Sequence, residues 1–386
     1  MIERTIHKKL TQLAKKFPVI SVTGPRQSGK TTLIKSTFEG YRYESLEDPP
    51  TRLFAQSDPV RFLGTGEKMI IDEIQRIPEL FSYLQTNTDR SNINGQYIIS
   101  GSQSFLLNQH ISQSLAGRVA VLNLMPFSLS ELRHHGIIFN DYNASMFRGF
   151  YPRIYDKNIN PVDFYPNYLQ TYVERDVRLL QIIQDLNLFI RFLKLCAGRI
   201  GQLLNLTSLA NDCGISANTA KSWISVLEAS YIIFLLQPHY KNFNKRLVKM
   251  PKIFFIDTGL ASSLLDIQSE NQLSTHYLRG SLFENFILSE FIKSKLNQGL
   301  RPNLYFWRDN KGMEIDCIIE NGNNLIAVEI KSGNTFSPEY FKNINHWNKL
   351  SANPPDNSWV VYGGDITRNT KDGTLLSWND LGKIPI

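Results

Sequence analysis

The sequence predicts a mixed α/β protein in which a parallel sheet covered by helices is followed by helical segments and then by a second α/β unit. Three features of the 386-residue chain support this. Between residues 18 and 130, short β-rich runs alternate with helical stretches, which is typical of a parallel sheet with crossover helices. Apolar residues then recur at helical spacing as far as residue 200. From residue 304 onward, β-rich runs return, flanked by helices.

Composition and charge narrow the class of protein. Hydrophobic residues make up 42% of the chain and charged residues 20%, which indicates a globular rather than a disordered protein. No run approaches the roughly 18 apolar residues of a membrane span, and residues 1–17 lack the apolar core of a signal peptide. We therefore expect a cytoplasmic protein without membrane association. The net charge of +7 is compatible with nucleic-acid binding and equally with plain solubility.

The length exceeds one average domain, and the patterns divide the chain into four units. These are a parallel-sheet unit at 1–135, a helical lid or linker at 136–200, a helix-turn-helix with a strand at 201–252, and an α/β unit at 253–386. No repeat or long flexible linker interrupts them, so we expect the units to pack together. The three cysteines lack the spacing of a metal site, which predicts buried reduced thiols.

A phosphate-binding loop is predicted at residues 24–31, GPRQSGKT, between the strand-like VISVT and the helical TLIKSTF. Gly24 and Gly29 would let the backbone wrap closely, so that N–H groups and a helix N-terminus hold phosphate oxygens. Lys30 would neutralise the β- and γ-phosphates, and the Thr31 hydroxyl would ligate Mg²⁺. The predicted nucleotide-binding residues are Gly24, Pro25, Arg26, Gln27, Ser28, Gly29, Lys30, Thr31 and Thr32.

The second half of this site is predicted at Asp72 and Glu73, which end the apolar run KMII. Ligands bind at the carboxyl ends of parallel strands. Asp72 would hold Mg²⁺ through water, and Glu73 would polarise the water that attacks the γ-phosphate. The expected chemistry is hydrolysis of ATP with Mg²⁺ as cofactor, although these residues do not distinguish ATP from GTP.

Two further positions could complete the site. The strand-like run GQYIIS precedes Ser102, which is predicted to contact the γ-phosphate or the attacking water, with Ser100 as the alternative. Arg118 is predicted to neutralise charge in the transition state, either within one chain or across the subunit boundary of a homo-oligomer. Arg175 is a second candidate for this role. A turn serine and a surface arginine are the structural alternatives.

The segments GPRQSGKTTL, IIDEIQRIPELF, IISGSQSFLL and SLAGRVAVLNLMPFSLSE together resemble the prokaryotic AAA-type ATPases fused to a conserved C-terminal domain of uncharacterised function. The resemblance continues through YVERDVRLL, RGSLFENFI and VEIKSG, so it covers nearly the whole chain. It implies an AAA-like P-loop core and no particular substrate. The site residues that it implies are Gly24, Gly29, Lys30, Thr31, Asp72, Glu73 and a sensor near Ser102.

The unit at 201–252 resembles a winged helix-turn-helix, because a turn at Gly214 separates a short helix from a second one with Ser216 as its N-cap. The second helix could enter a DNA major groove. Its polar outer residues are Asn218, Thr219, Lys221 and Ser222. Five cations that could contact phosphates follow at Lys241, Lys245, Arg246, Lys249 and Lys252. The alternative is a module that binds protein or another domain.

The C-terminal unit resembles the PD-(D/E)xK nuclease core, which predicts a restriction-endonuclease-like fold. Glu329 and Lys331 lie two residues apart on LIAVEIK, so both side chains should point to one face of a strand. Asp316 and Glu284 would join them, and the group could hold Mg²⁺ and activate water. The family's proline before Asp316 is missing. The alternative is an inactive docking platform.

The sequence leaves three functions open. The favoured interpretation is an ATP-driven switch that acts on DNA through the winged-helix and nuclease-like units. The second is an ATP-regulated, Mg²⁺-dependent DNA nuclease, which the retained acids and lysine of the C-terminal unit would favour. The third is a signalling or defence ATPase whose C-terminal units bind protein, which a lack of salt-dependent DNA binding would favour.

Overall fold

The N-terminal part of the computed structural model is a five-stranded parallel sheet with helices around it. The structure describes residues 2–64, 66–101, 114–172, 183, 185–239, 249–322 and 324–386. The strands are β1 (Val19–Thr23), β2 (Arg42–Ser45), β3 (Met69–Asp72), β4 (Tyr97–Gly101) and β5 (Val119–Asn123). They run parallel in the order β2-β3-β4-β1-β5. The predicted parallel sheet is confirmed.

Helices cover both faces of this sheet, so β1, β3 and β4 are buried along their whole length. Because side chains alternate along a strand, Val19 and Ile71 pack in one core, and Ile20 and Ile70 pack in another on the opposite face. The described helices of this part are α1 (His7–Ala14), α2 (Lys30–Thr37), α3 (Pro49–Ser57), α4 (Pro59–Leu63) and α5 (Leu80–Ser91).

A helical segment follows the sheet, as the apolar periodicity predicts. Its described helices are α6 (Leu129–His134), α7 (Tyr142–Arg148), α8 (Pro152–Asp156), α9 (Pro161–Tyr172) and α10 (Leu186–Ala197). Aromatic side chains form much of its interior. Tyr151 packs against Phe164, Tyr165 and Tyr168, with ring centroids 4.7–6.2 Å apart.

Two helices with a turn between them lie where the helix-turn-helix was predicted. They are α11 (Leu206–Cys213) and α12 (Ala217–Ala229), and Gly214 between them is left-handed, with φ 80°. The Ser216 hydroxyl accepts the N–H of Thr219 and so caps α12. The following strands are β6 (Ile233–Pro238) and β7 (Lys252–Phe255), which pair antiparallel. A wing between them would fall on residues 240–248, outside the described residues.

The C-terminal part contains helices α13 (Thr258–Leu264), α14 (Glu270–Thr275), α15 (Arg279–Asn297) and α16 (Lys342–Ser351). Its strands are β8 (Leu304–Arg308), β9 (Glu314–Asn321), β10 (Asn324–Lys331), β11 (Ser358–Tyr362), β12 (Arg368–Thr370) and β13 (Gly373–Ser377). Strands β9 and β10 pair antiparallel, whereas β10 and β11 pair parallel. Strands β6 to β13 form one sheet in the order β12-β13-β11-β10-β9-β8-β6-β7.

The shared sheet crosses one of the predicted unit boundaries. The boundary between residues 252 and 253 falls inside β7, and β6 pairs with β8 through Gln237 and Tyr305. Strands cannot be separated here without losing backbone hydrogen bonds. The helix-turn-helix strands and the C-terminal unit therefore form one continuous structure in the described part of the chain.

One smaller prediction concerns the burial of the three cysteines. Cys196, Cys213 and Cys317 are free and buried, as expected from their spacing. Among the helices that the structure describes, none has the length and apolar character needed to cross a bilayer.

Candidate nucleotide site

The loop between β1 and α2 has the backbone geometry that the glycine pattern predicts. Gly24 has φ 143°, and a Cβ there would lie 2.1 Å from the carbonyl oxygen of Leu124. Gly29 is left-handed, with φ 93°, and stands immediately before α2. Both conformations favour glycine. The first N–H groups of α2, which have no acceptor within the helix itself, therefore border the loop, where they can bind an anion.

Lys30 is buried within this loop. Its ammonium donates to the carbonyl oxygens of Gly24 at 2.9 Å and Pro25 at 2.8 Å. These contacts tie the lysine to the start of the loop that its own helix closes. The positive charge therefore stands beside the backbone that would surround phosphate oxygens.

The two residues predicted to bind Mg²⁺ contact each other. The Thr31 hydroxyl donates to Asp72 Oδ2 at 2.8 Å, which joins the start of α2 to the end of β3. A hydroxyl and a carboxylate are oxygen ligands of the kind that Mg²⁺ prefers. The donor set therefore fits a magnesium ion that also binds nucleotide phosphates.

Two further hydroxyls hold the Asp72 carboxylate. Tyr43 on β2 donates to Oδ2 at 3.0 Å, and Ser100 on β4 donates to Oδ1. Burial, followed by the charge of Asp72, raises the pKa of Tyr43 to about 12, so Tyr43 remains a hydrogen-bond donor at neutral pH. Ser100, the alternative sensor, thus reaches the site, whereas Ser102 lies outside the described residues.

Glu73 follows the end of β3 in an unusual conformation. Its φ of 55° and ψ of 44° are left-handed, which is costly for a residue with a side chain. The Gln75 amide donates to Glu73 Oε2. Glu73 lines the same cavity as Lys30 and Thr31. The carboxylate predicted to activate water therefore faces the loop.

The cavity over the loop has a volume of about 1190 Å³, which is large enough for a nucleotide. One wall is the loop with α2. The other wall comes from the N-terminal segment and the helical segment, and the residues there that sequence patterns did not identify include Arg4, Phe127, Arg153 and Tyr155. Arg4, Arg153 and Tyr155 lie outside any motif, so only the fold brings them to the loop.

The structure does not bring Arg118 to this site, which corrects its predicted role within one chain. Arg118 stands before β5, and its carbonyl accepts the N–H of Val19 at the amino end of β1. The loop follows the carboxyl end of β1, which is roughly 16 Å away at strand rise. The guanidinium instead binds Asp89 at 2.5 and 3.0 Å. Action across a subunit boundary remains a prediction, and Arg175 lies outside the described residues.

A second cluster forms where the nuclease-like residues were predicted. Carboxylate oxygens of Glu284, Glu314 and Asp316 all lie within 4.8 Å of one another. The Lys331 ammonium donates to Glu329 at 2.6 Å and lies 3.9 Å from Asp316. The structure therefore brings together the four predicted residues and adds Glu314.

Lys252 also lies in this cluster, so the prediction that it contacts DNA phosphates is wrong. Its ammonium is 3.0 Å from Glu284 and also pairs with Glu314. Burial alone would lower the pKa of Lys252, but the carboxylates of Glu284, Glu314 and Asp316 raise it. A buried lysine held this way cannot contact DNA. Of the other predicted cations, Lys249 is exposed, and Lys241, Lys245 and Arg246 lie outside the described residues.

The buried Glu329 carboxyl should make the free energy of unfolding fall as the pH rises. Burial and the neighbouring Asp316 raise its pKa to about 8, against the opposing effect of Lys331. An unfolded glutamate has a pKa near ~4.3, so the folded state holds the extra proton between these values. The resulting stability is present below pH ~4.3 and is lost as the pH rises through about 8.

We therefore expect the melting temperature of the wild type to fall between pH 5 and 8.5. In Glu329→Gln this fall should be smaller by roughly a few degrees. Thermal unfolding in the presence of EDTA measures this. The exposed Glu339→Gln is the matched control. A decline as steep in Glu329→Gln as in the wild type would contradict the buried, protonated glutamate.

These features define the class of protein. A glycine-bordered loop on a parallel sheet, a lysine at the start of α2, and Asp72 with Glu73 at the end of β3 are the parts of a P-loop ATPase. A family model described as "AAA domain" matches residues 16–133. Two models described as domains of unknown function, DUF8612 and DUF4143, match residues 139–271 and 279–381. The N-terminal part is therefore an ATPase domain of the AAA type.

The chain belongs to the family of the uncharacterized protein Rv2008c of Mycobacterium tuberculosis. The two are 30% identical over 332 residues, which cover 85% of this chain and 73% of that protein. An uncharacterized protein of Mycobacterium bovis gives the same values. An uncharacterized protein of Haemophilus influenzae is 20% identical over 343 residues, covering 80% of this chain and 81% of that protein.

Similar solved structures include the Walker-type ATPase PABY2304 of Pyrococcus abyssi, with 14% identity and a TM-score of 0.47 over 68% of this chain and 96% of that one. AMPPCP-bound DnaA of Aquifex aeolicus gives 13% identity and a TM-score of 0.30 over 58% of this chain and 85% of that one.

Proposed function

We propose that this chain is an ATP-driven switch in which the nucleotide state of the N-terminal site is transmitted to the helix-turn-helix unit and, through that unit, to DNA. The observation that carries the proposal is a hydrogen-bonded contact between the strand that leads into the phosphate-binding loop and Tyr231, two residues after the end of α12. The nucleotide site thereby touches the element best suited to bind DNA.

This contact is made by three polar side chains. Tyr231 donates to the Asn123 amide oxygen at 2.8 Å, and Thr23 donates to the same oxygen at 2.6 Å. The two hydroxyl oxygens are 3.1 Å apart. Thr23 directly precedes Gly24, the first residue of the loop. A shift of the loop on nucleotide binding would therefore reach the end of α12 through adjacent side chains.

The backbone of Tyr231 adds to this argument. Its φ is 57°, in the left-handed region that costs a residue with a side chain on the order of 1–3 kcal/mol. Such a conformation persists only where surrounding contacts fix it, and residues of this kind concentrate in switch regions. Tyr231 stands between α12 and β6, so it links the helix-turn-helix to the eight-stranded sheet.

A second link joins the ATPase domain to the C-terminal unit. Glu290 on α15 accepts the backbone N–H of Leu129, at the start of α6, at 2.7 Å. Its other oxygen accepts from Lys293 at 2.8 Å. Both charged side chains are buried, and breaking a buried pair by removing one partner costs several kcal/mol. The C-terminal unit should therefore follow movements of α6.

The exposed face of α12 supports DNA as the partner. Asn218, Lys221 and Ser225 are exposed, whereas Trp223 and Leu227 pack inward. A helix that exposes short polar side chains and one lysine on one face suits a major groove. The net charge of +7 favours association with a polyanion.

The test is ATP turnover measured with and without duplex DNA. We expect DNA to raise kcat several-fold, and the DNA affinity to fall with salt because bound cations are released from phosphates. The Lys30→Ala variant should show no turnover in either condition. Turnover that ignores DNA, together with no salt-dependent binding, would favour the signalling or defence ATPase that binds protein.

Tyr231→Phe tests the hydrogen-bonded contact without removing the aromatic ring. The variant loses the hydroxyl bonds to Asn123 and Thr23 and keeps the aromatic packing. We expect basal turnover within about two-fold of the wild type, because the nucleotide-binding residues are untouched, and loss of most of the stimulation by DNA. The exposed Tyr277→Phe is the matched control. Full stimulation in Tyr231→Phe would contradict transmission through this contact.

The second candidate function is a Mg²⁺-dependent DNA nuclease, and one observation favours it. Glu329 Oε2 is buried without a hydrogen-bond partner among the described residues, beside Asp316 and Lys331. An oxygen in this state could accept a metal ion. Against this, Lys252 neutralises Glu284 and Glu314, so a metal ion would have to compete with its ammonium.

The same reactions test this candidate when the DNA is run on a gel after incubation with Mg²⁺ or Mn²⁺. Cleavage that disappears in Asp316→Ala and Lys331→Ala would establish the nuclease. Cleavage that survives both substitutions would come from a contaminant, and intact DNA would leave the C-terminal unit as a binding platform.

A further inference from the structure

We propose that Arg4 is a positioning residue of the nucleotide site, which fixes the peptide joining Ser28 to Gly29 in one orientation and so sets the N–H of Gly29 within the phosphate-binding loop. The inference rests on the ATPase function proposed for this site. Arg4 lies twenty residues before the loop in sequence and belongs to none of its motifs.

The guanidinium of Arg4 is buried and binds three separate segments. Nη1 donates to the carbonyl oxygen of Ser28 at 2.8 Å, in the middle of the phosphate-binding loop. Nη2 donates to the carbonyl oxygen of Met125 at 2.6 Å, and Nε donates to Glu131 at 3.2 Å. The guanidinium carbon also lies 4.8 Å from the centre of the Phe127 ring. These contacts hold the arginine in one position against the loop.

The geometry of the peptide bond links this contact to phosphate binding. The carbonyl of Ser28 and the N–H of Gly29 belong to one planar trans peptide and point in opposite directions. Because Arg4 holds this carbonyl, the N–H of Gly29 is fixed in the opposite direction, and the peptide cannot turn over when the loop binds phosphate. Gly29 is left-handed, a conformation that only a flexible residue adopts easily, so this peptide needs an external constraint.

A buried carboxylate keeps the arginine in place. Glu131 Oε1 accepts from Arg4 and also from the N–H of Thr5 at 2.8 Å. Its Oε2 accepts the N–H of Ser128 at 2.9 Å, in the capping box of α6. The guanidinium is a planar fork with five donors, so a lysine at position 4 could not satisfy all three of its acceptors. The Ser28 contact therefore requires arginine rather than positive charge alone.

The experiment compares nucleotides that differ in their phosphates. Arg4→Met, Arg4→Lys and Glu131→Gln are prepared in the full chain, and dissociation constants for ATP, ADP and AMP are measured by displacement of a fluorescent nucleotide. Thermal unfolding of each variant without nucleotide checks the fold. The loop binds the β- and γ-phosphates, which AMP lacks. The ratio of ADP affinity to AMP affinity therefore reports on the loop alone.

We expect Arg4→Met to weaken ATP and ADP binding at least ~10-fold and AMP binding by less than two-fold, with Arg4→Lys in between. Glu131→Gln retains one side-chain oxygen that can accept from Arg4 Nε, so Arg4 should still bind Ser28 and the variant should retain the wild-type ratio even if its melting temperature is lower. A ten-fold change in the dissociation constant is well above the error of such measurements.

Two results would overturn the inference. Wild-type ADP affinity in a folded Arg4→Met would show that the Ser28 contact is not needed, and an equal loss of ADP and AMP binding would assign Arg4 a merely structural role. If Arg4→Met does not fold, the ADP-to-AMP ratio of Arg4→Lys decides in the same way. Failure of the wild type itself to bind ATP would instead refute the proposed ATPase function.

Discussion

Replacement of Lys30 by alanine should abolish detectable binding of ATP and ADP, with a loss of at least ~100-fold in affinity. The ammonium is buried and hydrogen-bonded to the carbonyls of Gly24 and Pro25, so it already stands within the loop that would surround the phosphates. Hydrogen bonds to charged groups contribute about 1.5–3 kcal/mol each, and the lysine would make more than one to the β- and γ-phosphates.

Titration with a fluorescent nucleotide measures this effect. Lys16→Ala removes an exposed lysine from the same domain and should leave the affinity unchanged. Circular dichroism of Lys30→Ala should match the wild type, because the substitution leaves the backbone of α2 intact. Wild-type affinity in Lys30→Ala would refute the assignment of residues 24–31 as the phosphate-binding loop.

Replacement of Glu73 by glutamine should leave nucleotide binding within a few-fold of the wild type while it lowers kcat about 10²–10⁴-fold. The amide keeps the size of the side chain but cannot accept a proton from the attacking water. The strained backbone at this position, with φ 55°, should tolerate glutamine as it tolerates glutamate. Effects on turnover without effects on affinity indicate loss of an interaction made in the transition state.

The measurement is steady-state hydrolysis together with the dissociation constant for ATP. Glu79→Gln, which changes an exposed acid before α5, is the matched control. Unchanged turnover would place the catalytic base elsewhere. Loss of binding in step with turnover would make Glu73 a residue that shapes the site rather than one that activates water.

The sequence was sufficient for the parts of the site that are local. Gly24, Gly29 and Lys30 are close together, and a strand before them with a helix after them defines their geometry. Asp72 ends an apolar run, which places it at the strand edge where Thr31 lies in the fold. Each of these inferences needs only the direction and period of one or two elements.

Residues that act through distant contacts could not be predicted in this way. Arg4 reaches the loop because the N-terminal segment packs against it, and Tyr43 reaches Asp72 because β2 and β3 are neighbours. Neither belongs to a motif. Their roles depend on the tertiary arrangement, which short-range patterns do not encode.

The prediction for Lys252, and that for Arg118 acting within one chain, failed for a related reason, since each was made from the charge without its surroundings. Arg118 follows the sensor segment in sequence, but β5 begins just after it, so the parallel sheet places it at the edge away from the loop. Lys252 belongs to a basic stretch, but its partners Glu284 and Glu314 come much later in the chain. A charge pattern alone does not distinguish an exposed cation from a buried one.

The most direct test of the proposed switch is hydrogen exchange of the Glu73→Gln variant, compared with Mg²⁺-ATP, with Mg²⁺-ADP and without nucleotide. Peptides covering residues 24–31 report on the loop, and peptides covering residues 227–235 report on the junction of α12 and β6. The account predicts that exchange at both regions differs between the ATP and ADP states, and that Tyr231→Phe abolishes the difference at the junction alone. Protection of the loop by ATP with identical exchange at the junction in every state would contradict the claim that nucleotide state is transmitted to the helix-turn-helix unit.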